Sequence, residues 1–209
     1  KMTKFESMSN ELLMKVFEYY DLYSLFSLFT SLNSRFDAFI NRCQFYANLD
    51  CIKPINFVDF LVYILPRVNP CQIRSLHSSK SHQITLLAYD KSLVCFTHIR
   101  SLSLNEIPSS TVRYMVERIH FSRLERVLLN QCKGNWEDTW SFSEHFFNSN
   151  RYPFLKTYID SNSMIGEGTS LLSIEHMTMS QLSCPSLFLN FLNRSPVLKY
   201  IRTQIEFGD

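Results

Sequence analysis

Apolar side chains recur at helical spacing three times within the first forty or so residues. The three runs are Leu12, Leu13, Val16, Phe17 and Tyr20; then Leu22, Leu25, Phe26, Phe29 and Leu32; and then Phe36, Phe39 and Ile40. This spacing predicts three short helices, and Ser9 and Asp21 are candidate N-caps for the first two. A unit of about 40 residues buries too little surface to be stable alone. The three helices must therefore pack against a partner or against the rest of the chain.

A different pattern begins near Tyr46, with apolar residues at 18 of the 21 positions i, i+3 and i+5 of seven copies. Its seven copies are Tyr46, Leu49, Cys51; Ile73, Leu76, Ser78; Ile99, Leu102, Leu104; Leu124, Val127, Leu129; Leu155, Tyr158, Asp160; Ile174, Met177, Met179; and Leu198, Ile201, Thr203. Most steps between copies match the length of about 20–29 residues that is typical of leucine-rich repeats. The pattern predicts one short strand per copy.

Helical segments fit between several of these strands. The first is expected to begin at an Asn56 cap, to bury one face from Phe57 to Leu65, and to stop at Pro66. The second starts at Ser109 or Ser110 and carries Val112, Met115, Val116 and Ile119 on one face. Two more are expected after Ser141 and before Pro196. Alternation of strands and helices predicts a parallel sheet rather than a meander.

The segment from Phe5 to Leu22 resembles the F-box, a motif that typically reads Leu-Pro, an acidic pair, Leu-Leu, Ile-Phe and then Leu. Apolar residues also stand at the family's positions in the second helix, and Arg35-Phe36 stands where the family usually has Arg-Trp. Four positions depart from the motif: Ser9 replaces Pro, Tyr20 replaces Leu, Asn33 replaces Cys, and Phe36 replaces Trp. The resemblance covers about residues 5–42. Because the motif is mostly hydrophobic spacing, a plain N-terminal helical bundle is the alternative.

This resemblance implies an α/β protein with two parts. Residues 1–42 would form a three-helix F-box, and residues 43–209 an irregular leucine-rich-repeat-like solenoid with a parallel sheet that binds substrate. The implied function is that of a non-catalytic substrate-recognition subunit of an SCF-type cullin-RING ubiquitin ligase. The F-box would bind a Skp-family adaptor and, through it, a cullin, and the repeats would hold a protein substrate of unknown identity. The residues assigned to adaptor binding are Met8, Ser9, Glu11, Leu12, Leu13, Phe17, Leu25 and Leu28.

The repeat alignment also predicts a substrate-binding face. Positions i+2 and i+4 project from the side of the sheet opposite to i+3 and i+5, and most of them are polar. Leu128, Ile159 and Tyr200 are exceptions. Leu128 and Ile159 occupy the same position in consecutive copies, so they are expected side by side at about 5 Å. We therefore assign substrate binding to Arg126, Leu128, Ile159 and Tyr200; alternatively, another segment covers this face and makes Leu128 and Ile159 ordinary core.

Composition narrows the other classes of function. The net charge is +2 and basic residues are scattered, which predicts no nucleic-acid partner. The longest apolar run is Phe60–Leu65, whereas a bilayer span needs about 20 residues. The chain lacks a signal-peptide pattern, so a cytoplasmic or nuclear location is expected. Since residue 1 is not Met, the chain is expected to be a fragment or a processed form, and its C-terminal boundary stays open.

No sequence motif points to a cofactor or a metal. The six cysteines include no C-x-x-C pair, and the six histidines include no H-E-x-x-H spacing. Glycine-rich phosphate loops and G-x-S-x-G elbows are missing as well. A Ser/His or Cys/His dyad that forms only on folding has no sequence signature. An α/β enzyme or small-molecule-binding domain with an N-terminal helical appendage is therefore the alternative function.

Overall fold

The computed structural model describes residues 5, 7–89, 95–132, 134, 146–147, 151–161, 173–182, 192–193 and 195–205. The longer helices are α1 (Asn10–Phe17), α2 (Leu22–Phe29), α3 (Ser34–Ile40), α4 (Pro54–Asp59), α5 (Ser81–Tyr89) and α6 (Ser109–Arg118). The strands are β1 (Phe45–Asn48), β2 (Ile73–Ser78), β3 (Ser101–Asn105), β4 (Arg126–Asn130), β5 (Thr157–Asp160), β6 (His176–Leu182) and β7 (Tyr200–Ile205). The predicted α/β class is confirmed.

Side-chain caps begin each of the three N-terminal helices. Ser9 accepts from the Leu12 N–H at the start of α1, and Asp21 accepts from the Ser24 N–H at the start of α2, as predicted. Asn33 accepts from the Phe36 N–H and so caps α3. The apolar faces of the helices meet in a core rich in aromatic rings, made by Leu13, Phe17, Leu22, Leu25, Phe26, Phe29, Phe36, Phe39 and Ile40. Each cap satisfies a backbone N–H that has no partner within its own helix.

The seven strands form one parallel sheet in chain order, β1 to β7. The i+3 residues of consecutive copies are register partners, running Leu76, Leu102, Val127, Tyr158, Met177 and Ile201. All but the last are fully buried, because i+3 and i+5 side chains share the face that the helices cover. The predicted parallel sheet is confirmed, and so is the alignment of these copies.

The first copy of the pattern was placed wrongly. Tyr46 is 56% exposed and Cys51 is exposed, whereas Phe45, Ala47 and Leu49 are buried. The register of β1 against β2 shifts between Phe45 and Tyr46. Such an irregularity moves the alternation of inward and outward side chains by one residue, which the i, i+3, i+5 pattern does not detect.

The helix expected at an Asn56 cap starts earlier, at Pro54, whose missing N–H costs nothing in the first turn. Its predicted apolar face is confirmed, since Phe57, Phe60 and Leu65 are buried. It does not stop cleanly before Pro66. It widens into a π-helical turn at Phe60–Ile64 and then tightens into a 3-10 turn at Leu65–Arg67. A regular α-helix here would push the proline ring against the carbonyl four residues earlier.

Helix α5 was not predicted. Its buried face consists of Gln83, Ile84, Leu87 and Ala88, while Leu86 and Tyr89 are exposed. The Gln83 Nε2 donates a buried hydrogen bond of 3.1 Å to the Ile52 carbonyl, which makes a polar residue acceptable at a core position. Helix α6 lies where it was expected, with Val112, Met115 and Val116 buried. The helical segments expected after Ser141 and before Pro196 lie mostly outside the described residues.

The N-terminal helices and the sheet share one hydrophobic core. Phe26 of α2 meets Phe45 of β1 with ring centroids 5.7 Å apart, and Tyr23 packs edge-on against Phe60. The Gln72 side-chain amide donates to the carbonyls of Ile40 and Cys43, and so joins the end of α3 to the residue before β2. The rest of the chain thus supplies part of the packing that three short helices cannot supply alone.

Candidate protein-interaction surfaces

The residues assigned to adaptor binding divide into core and surface. Leu13, Phe17 and Leu25 are 0–3% exposed, so they hold the helices together and offer a partner no surface. Leu12 and Leu28, by contrast, are 46% and 54% exposed. Ser9 and Glu11 are also exposed, and Met8 is half-buried against the core. Only the exposed residues of this set therefore remain candidates for direct contact with an adaptor. Met14 and Leu32, which were not assigned, are exposed as well.

Arg35 fixes the start of α1 to α3. Its guanidinium donates to the Met8 carbonyl at 2.6 Å and to the Asn10 side chain at 2.6 and 3.1 Å. The same group lies 5.8 Å from the Phe39 ring centroid. Hydrogen bonds from a charged donor are stronger than neutral ones. The backbone next to the exposed Leu12 is thereby held in a defined position.

The side of the sheet opposite the helices carries two ladders of side chains, all at least partly exposed. The first ladder is Ser75, Ser101, Arg126, Thr157, His176 and Tyr200, and the second is His77, Ser103, Leu128, Ile159, Thr178 and Arg202. Leu128 and Ile159 are register partners, as the repeat alignment predicted. Both are partly exposed, so the described part of the chain does not bury this face.

A cavity of about 310 Å³ opens at the carboxyl ends of β4, β5 and β6. Its lining residues are Leu128, Leu129, Asn130, Ile159, Asp160, Ser161, Thr178 and Met179. Most of its wall is apolar, and the Asp160 side chain is turned into the core, where it accepts a hydrogen bond from the Tyr158 hydroxyl at 2.9 Å. Thr178 and Met179 were missed as site residues, although they stand in the copy that follows Ile159 and the same alignment identifies them.

Arg126 and Tyr200 belong to the first ladder and lie beside this cavity rather than in it. Both are exposed, and the Tyr200 ring lies 6.4 Å from the exposed His176 ring. Arg202, which was not among the assigned residues, is exposed on the second ladder. Neither Arg126 nor Arg202 pairs with a carboxylate among the described residues. The structure thus brings Arg126, Leu128 and Ile159 together and places Tyr200 three strands from Arg126.

Carboxylates near this face are already paired. The residues just before the first ladder alternate in charge, so Glu125 meets Arg100 at 3.3 Å, and Glu175 meets both Lys156 and Lys199. A hydrogen bond from the Lys199 ammonium lowers the pKa of the Glu175 carboxyl, and the charges of both lysines add to this effect. Both glutamates therefore already have basic partners among their neighbours.

A second polar cluster lies at the other end of the face. The His77 Nδ1 is 3.0 Å from the Ser103 Oγ, and its Nε2 is 3.3 Å from the Asp50 carboxylate. Burial raises the pKa of Asp50, but hydrogen bonds from Ser79 and the nearby His77 and Lys80 outweigh it, so the net shift is downward. A serine hydrogen-bonded to a histidine that lies beside a carboxylate is the set of groups that hydrolases use for nucleophilic attack.

Comparison of the chain with protein-family models, with curated proteins and with solved structures finds no match in any of the three. No group of metal-ligating side chains occurs among the described residues. Within the same residues, no helix has the length and apolar character needed to cross a membrane. What the protein binds is therefore inferred from its own side chains.

Proposed function

We propose that this protein is a substrate-recognition subunit of an SCF-type cullin-RING ubiquitin ligase. Its N-terminal helices would act as an F-box that binds a Skp-family adaptor and, through it, a cullin. Its sheet would act as a leucine-rich-repeat-like solenoid that holds a protein substrate. In this role the protein performs no chemistry itself, because ubiquitin transfer belongs to other subunits.

The observation that carries the proposal is the exposure of large apolar side chains on helices that already bury other apolar side chains in the core. Leu12 and Leu28 lie about half outside that core, at positions where the F-box motif is apolar. Full burial of a leucine is worth roughly 1.5–3 kcal/mol, so a groove that covers both residues gains a substantial binding free energy. A few such anchors usually dominate an interface.

The sheet supports the second half of the proposal. Its strands follow chain order, and steps of leucine-rich-repeat length separate most of them. Its outer ladders are open and contain one apolar cavity beside polar residues. Exposed apolar patches rimmed by polar groups commonly mark protein-binding sites. A module for an adaptor and a face for a substrate are the two surfaces that a receptor needs.

Pull-down with a purified Skp-family adaptor tests the proposal. We expect Leu12→Asp/Leu28→Asp to abolish binding while the circular dichroism spectrum stays unchanged, since both side chains are exposed. Leu86→Asp is the matched control, because Leu86 is 49% exposed on α5, away from the proposed interface. This pair of substitutions is preferable to any at Phe17, because Phe17 is buried and replacing it would unfold the module.

The opposite result would favour the alternative function, a hydrolase. The observation behind it is the contact of His77 with Ser103 and Asp50. If the unsubstituted protein fails to bind any Skp-family adaptor, while a fluorophosphonate probe labels it and Ser103→Ala removes the label, the receptor proposal is wrong. Adaptor binding without fluorophosphonate labelling supports the receptor.

A further inference from the structure

From the open sheet face we infer which kind of substrate it takes: an extended acidic segment with one large apolar side chain. The apolar side chain would occupy the cavity at Leu128 and Ile159, and flanking carboxylates would reach Arg126 and Arg202. This inference rests on the proposed function, because it describes the substrate of the same protein. The groups expected to bind the two arginines are carboxylates of a protein partner.

The cavity selects for a single apolar group. Its volume of about 310 Å³ is at the lower end of ligand pockets, which run from roughly 300 to 1,000 Å³. The half-exposed Leu128 and Ile159 form its apolar floor as direct strand neighbours. Asn130 and Ser161 form a polar rim at the carboxyl end of the cavity. An apolar side chain entering here excludes water from both leucine and isoleucine surfaces.

The charges of Arg126 and Arg202 determine which partner groups flank the apolar side chain. Arg126 is two residues before Leu128 on the same strand and face, at a distance of about 7 Å. Arg202 is two strands beyond Ile159 on the second ladder, at a distance of about 10 Å. Neither guanidinium has a carboxylate partner among the described residues, whereas Glu125 and Glu175 are both paired.

Complementarity therefore favours a negatively charged partner. Successive side chains on one face of an extended peptide lie about 7 Å apart, which matches the separation of Arg126 from Leu128. Guanidinium groups bind carboxylates through two parallel hydrogen bonds, which fixes geometry as well as charge. A nucleic acid would neutralise the arginines equally, but it has no side chain for the apolar cavity.

Fluorescence anisotropy with the full chain and labelled nine-residue peptides tests the inference. The probe has Asp-Glu-Leu-Asp-Glu at its centre, and the two matched peptides have Asn-Gln-Leu-Asn-Gln and Asp-Glu-Gly-Asp-Glu. We expect the probe to bind at least roughly tenfold more tightly than either, a difference of about 1.4 kcal/mol. Its affinity should fall as salt rises from about 50 to about 500 mM, because exposed charges are then screened.

Two double variants locate the site. Arg126→Glu/Arg202→Glu should remove the preference for the probe over the amide peptide. Lys53→Glu/Arg67→Glu makes the same change of charge at exposed positions outside the sheet face and should preserve it. Leu128→Ser should remove the preference for leucine over glycine while leaving the salt dependence in place.

Equal binding of the acidic and amide peptides would overturn the inference, as would tighter binding of a phosphoserine version or of a single-stranded oligonucleotide. Retention of the preference in Arg126→Glu/Arg202→Glu would overturn it too. Adaptor pull-down on the same preparations separates the two proposals. Lost peptide selectivity with intact adaptor binding contradicts only the inference, whereas peptide selectivity without adaptor binding contradicts only the receptor function.

Discussion

At the scale of single residues, Arg35 contributes most visibly to the N-terminal module. Its side chain joins α3 to the start of α1, through the Met8 carbonyl just before that helix and the Asn10 side chain at its first residue. Substituting Arg35→Ala leaves that carbonyl without a donor and removes the cation above Phe39. We expect the free energy of unfolding to fall by about 1.5–3 kcal/mol, as for hydrogen bonds to charged groups. Urea denaturation followed by circular dichroism measures it.

Arg42→Ala is the control for this prediction, because Arg42 is exposed and its side chain makes no hydrogen bond or ion pair with the described residues. Its effect should stay within about 0.5 kcal/mol, as is usual for surface substitutions. Arg35→Lys should recover only part of the loss, since an ammonium cannot reproduce the planar fork of a guanidinium. Equal stability of Arg35→Ala and Arg42→Ala would show that the observed contacts contribute nothing.

At the scale of elements, strand β4 separates the core from the free face residue by residue. Leu129 is fully buried, while its neighbour Leu128 points outward and is half-exposed. We expect Leu129→Ala to cost about 2–5 kcal/mol, because it leaves a cavity in the core. Leu128→Ala removes the same atoms from the open face and should cost less than about 1 kcal/mol.

Urea denaturation of the two variants, made in the same background, measures this difference directly. A similar loss in both would mean that a part of the chain outside the described residues covers the sheet face. In that case Leu128 would be core, and the peptide cavity would be closed in solution. Because both residues are leucines, the two variants differ only in the side of the strand from which a side chain is removed.

The elements that sequence reasoning found are those whose side-chain period stays regular. Strands β2 to β5 pair with one another without a register shift, so register partners such as Leu102 and Val127 could be aligned in advance. The inward and outward residues of strand β1 were not predicted correctly, because its register against β2 shifts after Phe45. Helix α5 was missed because Gln83 fills a core position through a hydrogen bond that depends on a distant carbonyl.

The candidate sites were also predictable only where they depend on the regular strand pattern. The pairing of Leu128 with Ile159 followed from counting residues between copies, because strands in a sequential sheet place equal positions side by side. The row of Asp50, His77 and Ser103 was invisible, since Asp50 stands in a 3-10 turn after β1, outside the strand pattern. Which motif leucines are core and which are exposed also required the packing of the three helices.

At the scale of the whole molecule, the helical module and the sheet are expected to unfold together. Phe45 of β1 is 2% exposed and packs against Phe26 of α2, so it belongs to both parts. Phe45→Ala should cost about 3–5 kcal/mol. Because the core is shared, amide hydrogen exchange should speed up in α1–α3 and in β2–β4 alike.

Mass spectrometry of the exchanging protein distinguishes this from independent units. If Phe45→Ala accelerated exchange in the helices while the sheet kept its protection, the two parts would be separate folding domains that merely touch. Tyr46→Ala, one residue further on and 56% exposed, is the control that should change neither region. The comparison thus tests whether the contact between Phe26 and Phe45 couples the stability of the helices to that of the sheet.

The sequential order of the strands also limits how far one event can influence another. Each strand meets only its predecessor and its successor, so β1 and β7 are separated by six inter-strand spacings, or about 29 Å. Sites that far apart, with no shared partner, normally contribute additively to stability and binding. Selection acting on the outer ladders of β4 to β7 could therefore exchange one binding preference for another while the N-terminal helices kept theirs. Under the receptor function proposed above, a lineage with this architecture can change its substrate without changing its adaptor.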